Sequence, residues 1–168
     1  KKGDKYEVSD ERGKQILNHP KELAILIEIV KKEVEVLEED KELKEEVKEF
    51  WDKNTCGTFL TEEEKFTKAY FEDIEEKRYE IHPEVFSFAQ FSRFYGKKIL
   101  EVGIGAGTDF IQWVRSGTEA YGIDLTPEAI EHVKMRLNLY GLEAKEIKVG
   151  DAENLDYSDN TFDLVYSF

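Results

Sequence analysis

The sequence predicts an α/β fold built on an open, mostly parallel sheet, and three observations carry that expectation. An apolar strand runs into a glycine-rich turn and a helix start along Ile99-Leu100-Glu101-Val102-Gly103-Ile104-Gly105-Ala106-Gly107-Thr108. A second apolar strand, Ala120-Tyr121-Gly122-Ile123, ends at Asp124 and leads into Thr126-Pro127-Glu128, an N-cap with proline in the first helical position. Glu146 to Val149 and Phe162 to Phe168 read as a third and a fourth strand. Strands that alternate with helical patterns assemble into parallel sheets with helices on their faces.

The elements ahead of the sheet are helical. Residues 1–18 are polar and weakly patterned, with Tyr6-Glu7-Val8 at best a short strand. Pro20 opens a stretch in which Leu23, Leu26, Ile27, Val30, Val34 and Leu37 recur at spacings of three and four, one apolar stripe with acids on the other side. Glu38-Glu39-Asp40 interrupts the pattern, and a second helix carrying Leu43, Val47, Phe50 and Trp51 is expected beyond it. The stripe suits either a flank packed on its own domain or a homodimer contact through the 20–51 helix. Thr61 and Glu64 fit a capping box that starts a helix through Phe66, Tyr70, Phe71 and Ile74 and closes at Arg78-Tyr79. A further helix near Pro83 is expected to turn Phe86, Phe91 and Phe94 inward. Three regions follow: a helical extension over 1–50, a helical lead-in or lid over 51–97, and the strand-bearing part over 98–168.

The glycine turn carries the chemistry. Glycine has no Cβ, so the backbone can turn tightly and approach a ligand, and the helix that follows offers N–H groups. The spacing G-x-G-x-G puts Thr108 where a dinucleotide fingerprint needs its third glycine. Glu101, two residues before Gly103, would repel a pyrophosphate and suits a cationic group instead. Asp124, at the end of the second strand, can accept hydrogen bonds from both hydroxyls of a ribose. Because Thr126 and Pro127 account for the helix start, Asp124 is expected to be free for a ligand. Asp151 could accept from an exocyclic amine, and reads equally well as a turn residue or cap.

These pieces resemble, in order, the class I S-adenosylmethionine-dependent methyltransferases of the small-molecule type. The matching motifs are Glu101 to Gly107, Gly122-Ile123-Asp124-Leu125, Gly150-Asp151-Ala152-Glu153-Asn154-Leu155 and Phe162-Asp163-Leu164-Val165-Tyr166-Ser167. Trp51 to Thr58, Arg78-Tyr79, His82-Pro83 and Phe86 to Gly96 look like the helical lead-in of one bacterial branch. The resemblance implies a Rossmann-like sheet, with 98–168 as the N-terminal half of the cofactor-binding domain. It implies S-adenosyl-L-methionine as cofactor, with Glu101 at its amino group, Gly103, Gly105 and Gly107 passing close by, and Asp124 at the ribose. Asp151 and Ala152 would sit at the adenine, and Thr108, Leu125, Ser167 and Tyr79 complete the cofactor set. In the family sheet order 3-2-1-4-5-7-6, only strands one to four are in this chain, so a fragment ending after the fourth strand is expected.

Methyl transfer from a sulfonium is an in-line displacement, so alignment and desolvation supply much of the rate and no fixed catalytic triad is needed. No catalytic base is assigned. Asp109 is suggestive, although the helix dipole explains an acid in a first turn equally well. His19, His82 and His132 show no metal spacing, and no metal is assigned. The acceptor is expected to be a small molecule, or a lipid or glycan precursor. A net charge of −14 opposes phosphate backbones and so argues against nucleic acid. The single cysteine, Cys56, reads as a structural or incidental thiol. With no apolar run of membrane-spanning length and no signal-like start, a cytoplasmic protein is expected. A nicotinamide-dependent oxidoreductase and a non-catalytic cofactor- or partner-binding module are the alternatives.

Overall fold

The computed structural model describes residues 20–168; Tyr6-Glu7-Val8, the polar stretch around it and His19 lie outside the described residues. The chain divides into two compact units, Lys1–Glu46 and Val47–Phe168. Helix α1 (Pro20–Lys53) is continuous. The acidic stretch at 38–40 does not end it, because charged residues are fair helix formers and residues 21–53 contain no glycine or proline. Ile27, Ile29, Val30, Val34 and Val36 are each 46–54% exposed. The side chains of Leu23, Leu26 and Leu37 lie outside the described set.

In Val47–Phe168 a 3₁₀ turn at Thr58–Leu60 precedes α2 (Lys68–Ile81). The start of α2 differs from expectation. Thr67, not Thr61, is its N-cap, accepting from the Tyr70 N–H, while Thr61 accepts locally from the Glu63 N–H. Phe66 adopts a left-handed backbone (φ 65°) that swings its ring to 4.8 Å from that of His132. Ring burial outweighs the earlier capping box. Helix α3 (Val85–Ala89) turns Val85 and Ala89 inward, one helical turn apart, so Phe86 is 51% exposed instead of inward-facing. Phe91, in the following 3₁₀ turn, is buried against Trp113, and Phe94 is partly buried beside it.

The sheet is parallel throughout, in the order β3-β2-β1-β4, from β1 (Lys98–Val102), β2 (Glu119–Asp124), β3 (Glu146–Val149) and β4 (Leu164–Tyr166). Helices α4 (Thr108–Arg115) and α5 (Pro127–Tyr140) form the crossovers. This is the Rossmann-like arrangement that the strand–turn–helix punctuation predicts. Ile99, Phe110, Trp113, Ala120, Ile130 and Val133 make one buried cluster between sheet and helices. Strand β1 pairs with β2 on one side and β4 on the other, so the chain reverses its direction of progress across the sheet at β1. In open α/β sheets, ligands bind outside the carboxyl ends of the strands at such a point. Glu101, opposite Gly122 on one neighbour and Tyr166 on the other, stands there. Among the described residues no helix is long and apolar enough to cross a membrane.

Candidate functional site

A pocket of about 220 Å³ opens at the carboxyl end of β1. Of the residues expected at a cofactor, it brings together Glu101, Gly103, Gly105 and Thr108. Gly107, Asp124, Leu125, Asp151, Ala152, Ser167 and Tyr79 are not in its lining. Its other walls come from Cys56 and Gly57 ahead of the sheet, from Arg78 and His82 at the end of α2, from Asp109, and from Phe168 beyond β4.

The turn that shapes the pocket needs its glycines. At Gly105 the backbone lies in the left-handed region, and a Cβ would stand 3.0 Å from the carbonyl oxygen of Cys56. That carbonyl accepts from the Ala106 N–H, so residues 56 and 105–106 are clamped together. At Gly107 (φ 75°) a Cβ would stand 2.7 Å from Val133 Cγ2, which fixes how closely α5 packs on the turn.

Glu101 is 4% exposed and its Oε2 has no hydrogen-bond partner. Burial pushes its carboxyl well above the ordinary carboxylate range, and the nearby Asp109 adds to the shift while the Trp113 indole and then Arg78 oppose it. A buried acceptor without a partner costs about 1–3 kcal/mol, which a donor entering the pocket would recover. Asp109, in the first turn of α4, accepts from three side chains on two elements, α2 and β4: Arg78 Nη2 at 2.9 Å, the Tyr79 hydroxyl at 3.1 Å and the Tyr166 hydroxyl at 2.9 Å. Burial and the Asp109 charge push both tyrosine hydroxyls far up, so they stay protonated donors. Arg78 also lies 4.8 Å over the Phe168 ring. Cys56 is exposed, and partial desolvation, the largest influence on it, raises its thiol and works against a thiolate nucleophile.

Asp124 is not free, contrary to the expectation from Thr126 and Pro127. Its Oδ1 accepts from both the N–H and the hydroxyl of Thr126, and its Oδ2 accepts from the Gly105 N–H at 3.0 Å. The helix start therefore does use Asp124, through Thr126, which caps α5. One lone pair on Oδ2 remains for a ligand. Asp151 forms a tight turn, accepting from the Glu153 N–H. Tyr79 points its hydroxyl at the Thr108 carbonyl and Asp109 instead of into the pocket. Sequence reasoning named Arg78 only as part of a lead-in, because its partner lies 31 residues away and leaves no local pattern.

Residues 99–168 match the model of a family described as a methyltransferase domain. The match covers under half of the chain. Norajmaline N-methyltransferase of Rauvolfia serpentina is 39% identical over 71 residues, 41% of this chain and 24% of that protein. Phosphatidylethanolamine N-methyltransferase of Cereibacter sphaeroides is 35% identical over 71 residues, 42% of this chain and 34% of that protein. A tRNA (guanine(10)-N2)-dimethyltransferase of Pyrococcus abyssi is 31% identical over 71 residues, 41% of this chain and 22% of that protein. The chain spans about a quarter of the length of the curated relatives it matches. Among solved structures, a SAM-dependent methyltransferase from Aquifex aeolicus aligns at a TM-score of 0.44 and 21% identity, over 55% of each chain. The matched segment contains the glycine turn, Glu101, Asp109 and Asp124, while Cys56, Arg78 and His82 reach the pocket from the segment ahead of it.

Proposed function

We propose that this chain carries the S-adenosylmethionine site of a methyltransferase acting on a small-molecule acceptor. The observation that carries the proposal is Glu101: a buried carboxyl with an unpartnered oxygen, beside a turn whose glycines let a ligand approach the backbone. An ammonium group satisfies that oxygen. A pyrophosphate does not, which disfavours a nicotinamide cofactor. The relatives named for norajmaline and phosphatidylethanolamine support a non-polymeric acceptor, and the net charge of −14 works against a polyanion. The lone cysteine fits a cytoplasmic setting.

In this reading Glu101 holds the cofactor's amino group. Arg78, with guanidinium donors beyond the one given to Asp109, takes the carboxylate. The last lone pair of Asp124 Oδ2 reaches the ribose, and Asp151 and Ala152 border the adenine. Bound there, the cofactor supplies an activated methyl group on a sulfonium. The chain's own residues orient and desolvate: the Gly103–Gly107 turn fixes the approach, and Phe168 shields Arg78 from water. No residue is assigned as a base.

Isothermal calorimetry with S-adenosylhomocysteine tests this. Saturable binding is expected, weakened roughly ten- to hundredfold by Glu101→Gln, the about 1.5–3 kcal/mol of a hydrogen bond to a charged group. Heat from NAD but not from S-adenosylhomocysteine would overturn the assignment.

A further inference from the structure

Arg136, on α5, is wholly buried, yet it is not part of the pocket lining. Its guanidinium lies between α2 and the glycine turn. Nη2 donates to the Phe71 carbonyl at 3.3 Å and to Glu75 Oε2, both on α2. Nη1 lies 3.2 Å from Thr108 Oγ1 and 3.5 Å from the Ala106 carbonyl oxygen, where the turn passes into α4. The Nε–H has no partner.

Stability alone does not explain a cation at this place. A buried ion pair gains little over an apolar side chain of similar volume, and a buried N–H left unpaired adds a cost. Glu75 does not depend on Arg136 either, since its Oε1 accepts from Gln112 Nε2 at 2.8 Å and from Arg115 Nη1 at 2.6 Å, both on α4. What an apolar chain could not supply is the fork, with one arm fixed on α2 and the other on the two groups that end the turn. Ala106 is held at its other end too, because its N–H donates to the Cys56 carbonyl at 3.0 Å. Residue 106 is thus gripped at the N–H by residue 56 and approached at the carbonyl by Arg136. Ala106 and Thr108 both line the pocket that contains Glu101. We propose that Arg136 is a positioning residue of this pocket, a cation behind the glycine turn that sets where Ala106 and Thr108 stand relative to Glu101. The role rests on the S-adenosylmethionine site proposed above.

Calorimetry of the full chain with S-adenosylhomocysteine, together with ligand-free ¹H–¹⁵N spectra of the amides of residues 103–108, tests the role. In Arg136→Met the unbranched chain fills the space of the stem and Glu75 keeps its two α4 donors, so the fold is expected to persist by circular dichroism. Affinity is expected to fall about tenfold or more, as a site does when its supporting groups shift, and the turn amides to move. Arg136→Lys keeps a cation for Glu75 but has no fork to span both sides, so a smaller fall with the same amides displaced is expected. Should Arg136→Met not fold, Arg136→Lys carries the test. Thr108→Val removes the acceptor of Nη1 at nearly constant shape. Because Arg136 acts through the turn, the affinity losses from its variants and from Thr108→Val are expected to be non-additive, whereas a role confined to helix packing makes them add. Binding within about twofold of the parent in the folded Arg136 variants, unmoved turn amides, or additive losses would each overturn the proposal. A parent chain that does not bind S-adenosylhomocysteine counts against the cofactor reading alone, and the turn amides of the variants then decide the role of Arg136.

Discussion

The Arg78 guanidinium lies 2.9 Å from the Asp109 carboxylate, joining the last turn of α2 to the first turn of α4 across 31 residues of sequence. Both side chains are largely withdrawn from water, at 19% and 7% exposure. The pair therefore sets where the Arg78 cation in the pocket wall can point. With Tyr79 and Tyr166 donating to the same carboxylate, Asp109 ties α2, α4 and β4 around the carboxyl end of β1.

Removing that carboxylate is expected to loosen all three elements. Asp109→Ala leaves Arg78 without its partner and the Tyr166 hydroxyl without its acceptor, while Tyr79 keeps the Thr108 carbonyl, and breaking a buried pair from one side costs about 3–5 kcal/mol. Asp109→Asn keeps the shape and part of the acceptor capacity, so a smaller loss is expected. Urea denaturation of the two variants measures the difference, and equal stability of Asp109→Ala and the parent would refute the role of the hub.

Glu101 makes stability depend on pH in a direction opposite to an ordinary surface carboxylate. Its folded-state pKa is raised above the unfolded value, so the folded state binds more protons in the window that opens above about 4.3. The stability that Glu101 contributes is fully present below that value and is lost as pH rises through its raised folded pKa. Glu101→Gln is expected to flatten the fall across that window, as read from urea midpoints at stepped pH.

Asp124 serves the turn as well as any ligand. Asp124→Ala removes the acceptor of the Gly105 N–H, the Thr126 N–H and the Thr126 hydroxyl, and about 1–3 kcal/mol is expected to go with the part-buried donors left behind. Glu101→Gln leaves those bonds in place. Comparing thermal melting of the two without ligand separates a loop-holding role from a purely ligand-binding one, because only Asp124→Ala is expected to melt earlier.

How far the sequence could be read depended on the range of the interaction that decided each element. Strand β1, its turn and Thr126 are signalled by neighbours within a few residues, and the sheet order follows from that punctuation. The start of α2 was misread because the ring of Phe66 finds His132 far along the chain, and burial there outweighs a local capping box. Asp124 is engaged at both ranges: Thr126, two residues on, donates twice to one oxygen, a local turn the sequence does carry, whereas Gly105, 19 residues away, holds the other. Arg78 carries no local mark at all, since its role exists only once α2 lies against α4.

Gly107 tests the close packing that fixes the turn against α5. A side chain there meets two separate costs: a left-handed backbone, about 1–2 kcal/mol for a residue with a Cβ, and a clash with Val133, a further 1–3 kcal/mol for overpacking. The two can be pulled apart. In Gly107→Ala the full sum is expected, whereas in Gly107→Ala with Val133→Ala the clash is relieved and the backbone cost remains. A double-mutant cycle by urea denaturation should therefore show a favourable coupling of about 1 kcal/mol or more between the two substitutions. Strict additivity would mean that α5 does not set the height of the turn, and that the pocket floor is held from the Cys56 side alone.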